Sequence, residues 1–356
     1  MAVGTVHDEE QQNEFVAEVL ELRYGLSADG IERVPPTDLG AVINRRVLTS
    51  GGDRVYIKEY PGGGTLHEVR AALDMAQFCF AAQLPVPRVW PDESGDVLSE
   101  FGGSAWAVVS EAPGRISPHV MSGPQAEHIG MVLGRMHRVL AAYPLPQSSQ
   151  PRRWSSHPVE GALAECDALL RRLPAQLLNG PTSLRTDLAQ RADDLRGEAE
   201  RLRSGVPRDL VEHAIHGGFT PRHVLLVTDV VTGVIGFRCQ SGMPAWELGR
   251  IALDPRTVAG NDEWLGGVIA LVSAYRSENP TLPVRDITAS ARIALLHMLF
   301  SFGGAKTTTC CTSLEADGLR HRWADQQAAI RRVLTSLDDL EEALRSTPGH
   351  SPGTRR

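Results

Sequence analysis

The stretch Ile215-His216-Gly217-Gly218-Phe219-Thr220-Pro221-Arg222-His223-Val224-Leu225-Leu226, with Gly233-Val234-Ile235-Gly236-Phe237-Arg238 shortly after it, is the most patterned part of this 356-residue chain. Apolar runs at 224–227 and 234–237 flank a Thr228-Asp229 turn, which predicts a β-hairpin within 214–237. Ahead of the hairpin lies a segment rich in His and Gly. Imidazoles exchange protons near neutral pH, and glycines let a backbone approach a ligand closely.

Working toward the N-terminus, residues 41–48 and 54–60 have strand character on either side of Thr49-Ser50-Gly51-Gly52-Asp53, so a second hairpin is expected. Its returning strand, Val55-Tyr56-Ile57-Lys58-Glu59-Tyr60, carries one of only two lysines, the other being Lys306. All other cationic side chains except histidine are arginine, so an ammonium at 58 points to a point charge for phosphate rather than a generic surface cation. A helix is predicted over 65–83, with Glu68 near its start and within reach of Lys58 as an ion-pair partner. Gly40-Ala41-Val42-Ile43-Asn44 reads either as a shortened glycine turn facing phosphate or as the start of a strand.

Further along, Pro85-Val86-Pro87 forces an extended chain, and strands are expected at 88–90, 97–101 and 106–111. Ala112-Pro113-Gly114 ends that sheet, and Ser122 caps a helix carrying Ile129, Val132, Leu133, Met136 and Leu140. An amphipathic helix is predicted over 9–23, a surface loop over 143–157, two helices within 158–204, and a helical remainder after the 214–238 segment.

Composition narrows the function classes. With 42% apolar and 22% charged residues the chain is globular rather than disordered. Its formal charge of −7 argues against nucleic acid as the main partner. Apolar stretches near 264–275 and 293–302 are too short to span a bilayer, and residues 1–14 contain no signal-peptide run. Cys79, Cys166, Cys239, Cys310 and Cys311 are odd in number and lack metal-site spacing, so a reducing cytoplasm is expected.

The ordered series from Lys58 and Glu68 through Pro85-Val86-Pro87, Ser110-Glu111-Ala112-Pro113-Gly114 and Leu133-Gly134-Arg135-Met136-His137 to the 215–238 stretch and Trp246-Glu247-Leu248 resembles the aminoglycoside phosphotransferase and choline kinase family. That family's catalytic stretch reads roughly I-H-G-D-x-x-P-x-N-V-L and its metal stretch V-I-D-F. The resemblance implies an α+β, two-lobed, protein-kinase-like fold. It places a small antiparallel sheet lobe with one helix at 1–112, a larger helical lobe at 113–346 holding the catalytic segment 214–238, and a disordered tail at 347–356. It also implies nucleotide contacts from Lys58, Glu68, Asn44 and a hinge at Glu111 and Ala112.

Three positions depart from the pattern. Gly218 stands where the family has its catalytic aspartate, His223 where it has a metal-binding asparagine, and Gly236 where it has a metal-binding aspartate. Magnesium requires hard oxygen ligands; glycine supplies none, and imidazole suits softer metals. Loss of a positioned base alone costs roughly 100- to 10,000-fold in rate. The expectation is a pseudokinase with no intact catalytic or metal residue, binding ATP weakly and without strong magnesium dependence. Its partner would be a small molecule, a peptide or a protein, with an accessory role in natural-product or modified-peptide biosynthesis as one setting. The alternative is an active ATP-dependent kinase acting on a hydroxyl of a small molecule or of Ser/Thr in a peptide, rescued by Asp229, Glu212, Glu247 or Asp254. A third reading is a binding module that never meets nucleotide.

Other constellations carry little. Gly303-Gly304-Ala305-Lys306-Thr307 lacks the glycine that precedes a P-loop lysine. Cys310-Cys311 reads as a loop, and His213 and His216 as core or hinge histidines, since no zinc tetrad forms around them.

Overall fold

A computed structural model describes residues 3–35, 42–62, 65–117, 120–145, 153–172, 184–303, 305 and 314–348. The chain forms two compact units. One comprises Met1–Arg115 with Val224–Val227 and Thr232–Cys239; the other comprises Ile116–His223, Thr228–Val231 and Gln240–Arg356. The 214–238 segment, expected as one piece of the helical part, is divided between them.

The first unit contains α1 (Val3–Tyr24), β1 (Ala28–Val34), β2 (Ile43–Thr49), β3 (Arg54–Pro61), α2 (Leu66–Ala81), β4 (Val89–Trp90), β5 (Ser99–Phe101) and β6 (Ser104–Ser110), followed by β7 (Arg115–Ile116) at its edge. Its sheet runs β1-β2-β3-β6-β4, with β5 also on β6, and every pair is antiparallel. Strand alternation sorts its side chains. Val47, Val55, Ile57, Trp106 and Val108 point to one face, where they form a buried core with Val16, Val19, Leu20 and Tyr24 of α1. Arg45 is buried among them because Glu59 meets its guanidinium at 3.0 Å. The opposite face presents Asn44, Lys58 and Ala107 as directly paired neighbours.

The second unit is mostly helical: α3 (Gly123–Leu140), α4 (Arg153–Ser156), α5 (Val159–Arg172), α6 (Leu184–Ser204), then β8 (His213–Ile215), β9 (Val224–Val227), β10 (Val230–Val234) and β11 (Gln240–Gly242). Of these strands, β9 and the last three residues of β10 fall in the first unit. There follow α7 (Pro244–Ala252), α8 (Pro255–Gly260), α9 (Trp264–Glu278), α10 (Val284–Leu299), α11 (Leu314–Thr335) and α12 (Leu337–Ser346). A capping box starts α3: the Ser122 hydroxyl accepts from Gln125 N–H, and the Gln125 side chain accepts from Ser122 N–H. Along α3, Gly130 and Gly134 let α9 approach so closely that an added Cβ would sit 2.0 Å from Leu271 O and 2.6 Å from Tyr275 O. That approach sets His137, one turn further on, beside Tyr275.

Several expectations change. β1 was not expected, and it pairs with β2 as a polar edge strand. The strand after the Thr228-Asp229 turn is Val230–Val234, so 235–237 lie outside it; Thr228 adopts φ 56, which turns the chain back at once. Within the expected loop at 143–157, α4 forms because Trp154 is buried. The expected disordered tail begins inside the fold: Thr347 is buried and its hydroxyl donates to Ala343 O. Gly40, Ala41, Lys306, Cys310, Cys311 and residues 349–356 lie outside the described residues. Among those described, no helix is long and apolar enough to cross a membrane.

Candidate functional site

In the first unit, the site is built around one cation. Lys58 sits mid-strand on β3, flanked in register by Asn44 on β2 and Ala107 on β6. Burial lowers its pKa below the usual lysine value, and no counter-charge opposes that effect. The expected ion pair with Glu68 does not form. Glu68 lies in the first turn of α2 with its side chain exposed, although it shares a helix stripe with the buried Met75 and Cys79 seven and eleven residues on. A partly buried ammonium with no carboxylate partner among the described residues is a candidate contact for an incoming anion.

The hinge residues are less available than expected. Glu111 N–H donates to Arg54 O at 2.8 Å, extending the β3–β6 ladder. Its carboxylate takes Arg46 Nη2 at 2.7 Å and Tyr56 O–H at 3.4 Å. The backbone donor of Glu111 is therefore spent on the sheet and not open to a base. Ala112 packs its methyl against Gly233, where an added Cβ would come within 2.8 Å. Thr232 Oγ1 donates to Pro113 O, and Val234 N–H donates to Pro85 O at 2.7 Å. The strand leading to Gly236 is thereby fixed in the first unit, while Gly236 itself adopts φ 77.

In the second unit, the His216–His223 loop is held from beneath by Glu247 of α7. This carboxylate is fully buried. Its Oε2 accepts from His216 N–H at 3.0 Å and His137 Nε2 at 3.2 Å, and its Oε1 from Phe219 N–H at 3.2 Å. Burial by itself would raise the Glu247 pKa, but the His137 hydrogen bond, the neighbouring imidazoles and the Phe219 amide bring it down to about 2. The chain of bonds continues outward: Tyr275 O–H lies 2.9 Å from His137 Nδ1, and Asn279 Nδ2 donates to Tyr275 O at 3.0 Å. The helix-start role expected for Glu247 is thus only part of its work.

The peptide at Gly218 is bracketed by two imidazoles. Gly218 N–H donates to His216 Nδ1 at 3.1 Å, and His223 Nδ1 donates to Gly218 O at 2.6 Å. His216 is buried, as expected of a core histidine. His213 has its pKa lowered to about 4 by burial and by His137, and its ring lies 5.9 Å from that of His137.

The sequence-identified rescue acids are occupied elsewhere. Asp254 caps α8 through Thr257, Asp229 accepts from Ser122 Oγ at 3.1 Å, Glu247 carries the loop, and Glu212 is exposed before β8. Among the described residues no group of three or more His, Cys, Asp or Glu is placed to hold a metal ion. Magnesium, which the family pattern implies, does not fit these residues: positions 218 and 236 have no side-chain oxygen, and the imidazole at 223 is bound to Gly218. His137, Tyr275 and Asn279 had no role assigned from sequence. A histidine and a carboxylate on the apolar faces of α3 and α7 were the available signal.

With this geometry established, comparison with known proteins is informative. The model of the phosphotransferase enzyme family (APH) matches residues 38–281. The chain belongs to this family. A homoserine kinase from Zymomonas mobilis subsp. mobilis is 26% identical over 170 residues, which is 47% of this chain and 48% of that protein. The chain thus spans about half the length of the curated relative it matches. Among solved structures, an amicoumacin kinase in complex with AMP-PNP and Ca2+ is similar at TM-score 0.59 and 15% identity, covering 97% of this chain and 98% of the other. An aminoglycoside phosphotransferase from Alicyclobacillus acidocaldarius subsp. acidocaldarius is similar at 0.58 and 13%, covering 87% and 92%. A microcompartment-associated aminopropanol kinase is similar at 0.56 and 19%, covering 91% and 98%. At these identities the likeness concerns the fold, an antiparallel sheet unit with a helical one. Positions 218, 223 and 236, singled out in the sequence, carry Gly, His and Gly.

Proposed function

We propose that this member of the phosphotransferase family is a pseudokinase: it binds a nucleotide through Lys58 and transfers phosphate poorly or not at all. One observation carries the proposal. The Gly218 peptide is tied to His216 and His223, while three of the four nearby acids are committed to structural contacts and Glu212 lies exposed. Phosphoryl transfer depends on charge neutralisation and an oriented acceptor, and none of these four carboxylates is poised to provide either. The nucleotide half of the reading draws support from the partnerless ammonium of Lys58 and from relatives solved with AMP-PNP or ADP.

A site that keeps binding without transfer suits an accessory role, in which a small molecule, peptide or protein is held rather than modified. Natural-product or modified-peptide biosynthesis is the setting proposed. The competing reading, an active kinase acting on an alcohol, requires an acid to leave its present contacts. The deciding assay incubates purified chain with radiolabelled ATP, magnesium and a panel of aminoglycosides, small alcohols and Ser/Thr peptides. No transfer above background is expected. Sustained turnover on any panel member would replace this proposal with the active-kinase reading.

A further inference from the structure

The mismatch with magnesium determines the chemical form of ligand that Lys58 would meet. We infer that this chain takes the metal-free polyphosphate anion of a nucleotide in preference to its magnesium complex. The inference rests on the nucleotide binding proposed above and adds the ligand's charge state.

Two features of the first unit point this way. First, the ammonium of Lys58, in register with Asn44 and Ala107, has no anion beside it among the described residues. An uncomplexed triphosphate brings about two more negative charges than its magnesium complex, and attraction to a partly buried cation grows with that difference. Second, Gly236 at φ 77 presents no side chain that could hold a metal or, without a metal, repel a bare phosphate. Magnesium sheds water reluctantly and is retained where protein oxygens replace that water. In this chain a phosphate-bound magnesium would compete with Lys58 for the same oxygens and gain few protein ligands in return.

Isothermal titration of the full chain with ATP, in EDTA and in excess magnesium, tests this directly. Binding roughly tenfold tighter in EDTA is expected, the size of about 1.4 kcal/mol of electrostatic preference. Inorganic tripolyphosphate in EDTA should displace ATP, because the anion and not the base dominates recognition. Lys58→Met, checked for folding by circular dichroism, should lose binding in both buffers. Equal or tighter binding with magnesium, failure of tripolyphosphate to compete, or undiminished ATP binding by a folded Lys58→Met chain would each overturn the inference. ATP binding in neither buffer would instead remove the nucleotide reading on which it stands.

Discussion

The strand around Lys58 and the loop around Gly218 show opposite economies. At Lys58 a partly buried charge has no carboxylate partner among the described residues, an arrangement that costs stability unless an anion is bound. At Gly218 every polar group named above has a partner, and the supporting carboxylate, imidazoles and phenol form a continuous hydrogen-bonded chain. One region leaves a cation without a carboxylate partner among the described residues. The other ties its backbone to buried side chains and carries glycine at 218. On the pseudokinase proposal, the first region would bind a nucleotide and the second would not transfer its phosphate.

The strongest test of the contrast lies beneath the loop. Glu247→Ala should cost about 3–5 kcal/mol in urea unfolding, because two backbone N–H groups and His137 lose a buried acceptor. The acid limb follows the same carboxylate. Its folded pKa, about 2, lies below the ordinary 4.5, so its contribution is complete above pH 4.5 and lost as pH falls toward 2. Glu247→Gln should flatten that slope, and an unchanged acid limb would count against the network.

Gly134→Ala should come next, at about 1–3 kcal/mol, since a methyl group there meets Tyr275 O and pushes α3 from α9. Lys58→Met is expected to move the other way, raising stability by about 1–2 kcal/mol while abolishing nucleotide binding. The lysine's depressed pKa means that the folded state releases its proton before the unfolded state does, so wild-type stability should climb as pH rises toward 10.5. The methionine variant should lack that climb. If Lys58→Met destabilised the fold instead, the two regions would not differ as described.

The smallest effect is expected at Glu68. Glu68→Gln should change neither unfolding nor ATP affinity by more than about 0.5 kcal/mol, because its side chain is exposed and pairs with no lysine. A large loss of affinity would mean that the ion pair forms when ligand binds.

Much of the first unit was legible because its signals are local. The Thr49–Asp53 turn and strand alternation across Tyr56, Ile57 and Lys58 act over a few residues, as does the Ser122 cap of α3 in the second unit. β1 was hidden because Ala28–Val34 is an edge strand with largely exposed side chains and no apolar alternation. The candidate site divided in the same way. Lys58 stood out by residue type, whereas the exposure of Glu68 at the start of α2 was not legible in the helix periodicity, which places it on the stripe of the buried Met75 and Cys79.

By itself, the sequence determined the resemblance to the family, the Gly, His and Gly at 218, 223 and 236, and the placement of Lys58 on a strand. These follow from residue identity and short-range periodicity. Tertiary structure decided that Glu247 carries the His216–Phe219 backbone, that His137 and Tyr275 extend this support, and that Lys58 stands without a carboxylate. Such contacts join residues that are far apart in sequence, and only the close approach of packed elements, such as α3 on α9 across Gly130 and Gly134, fixes who meets whom.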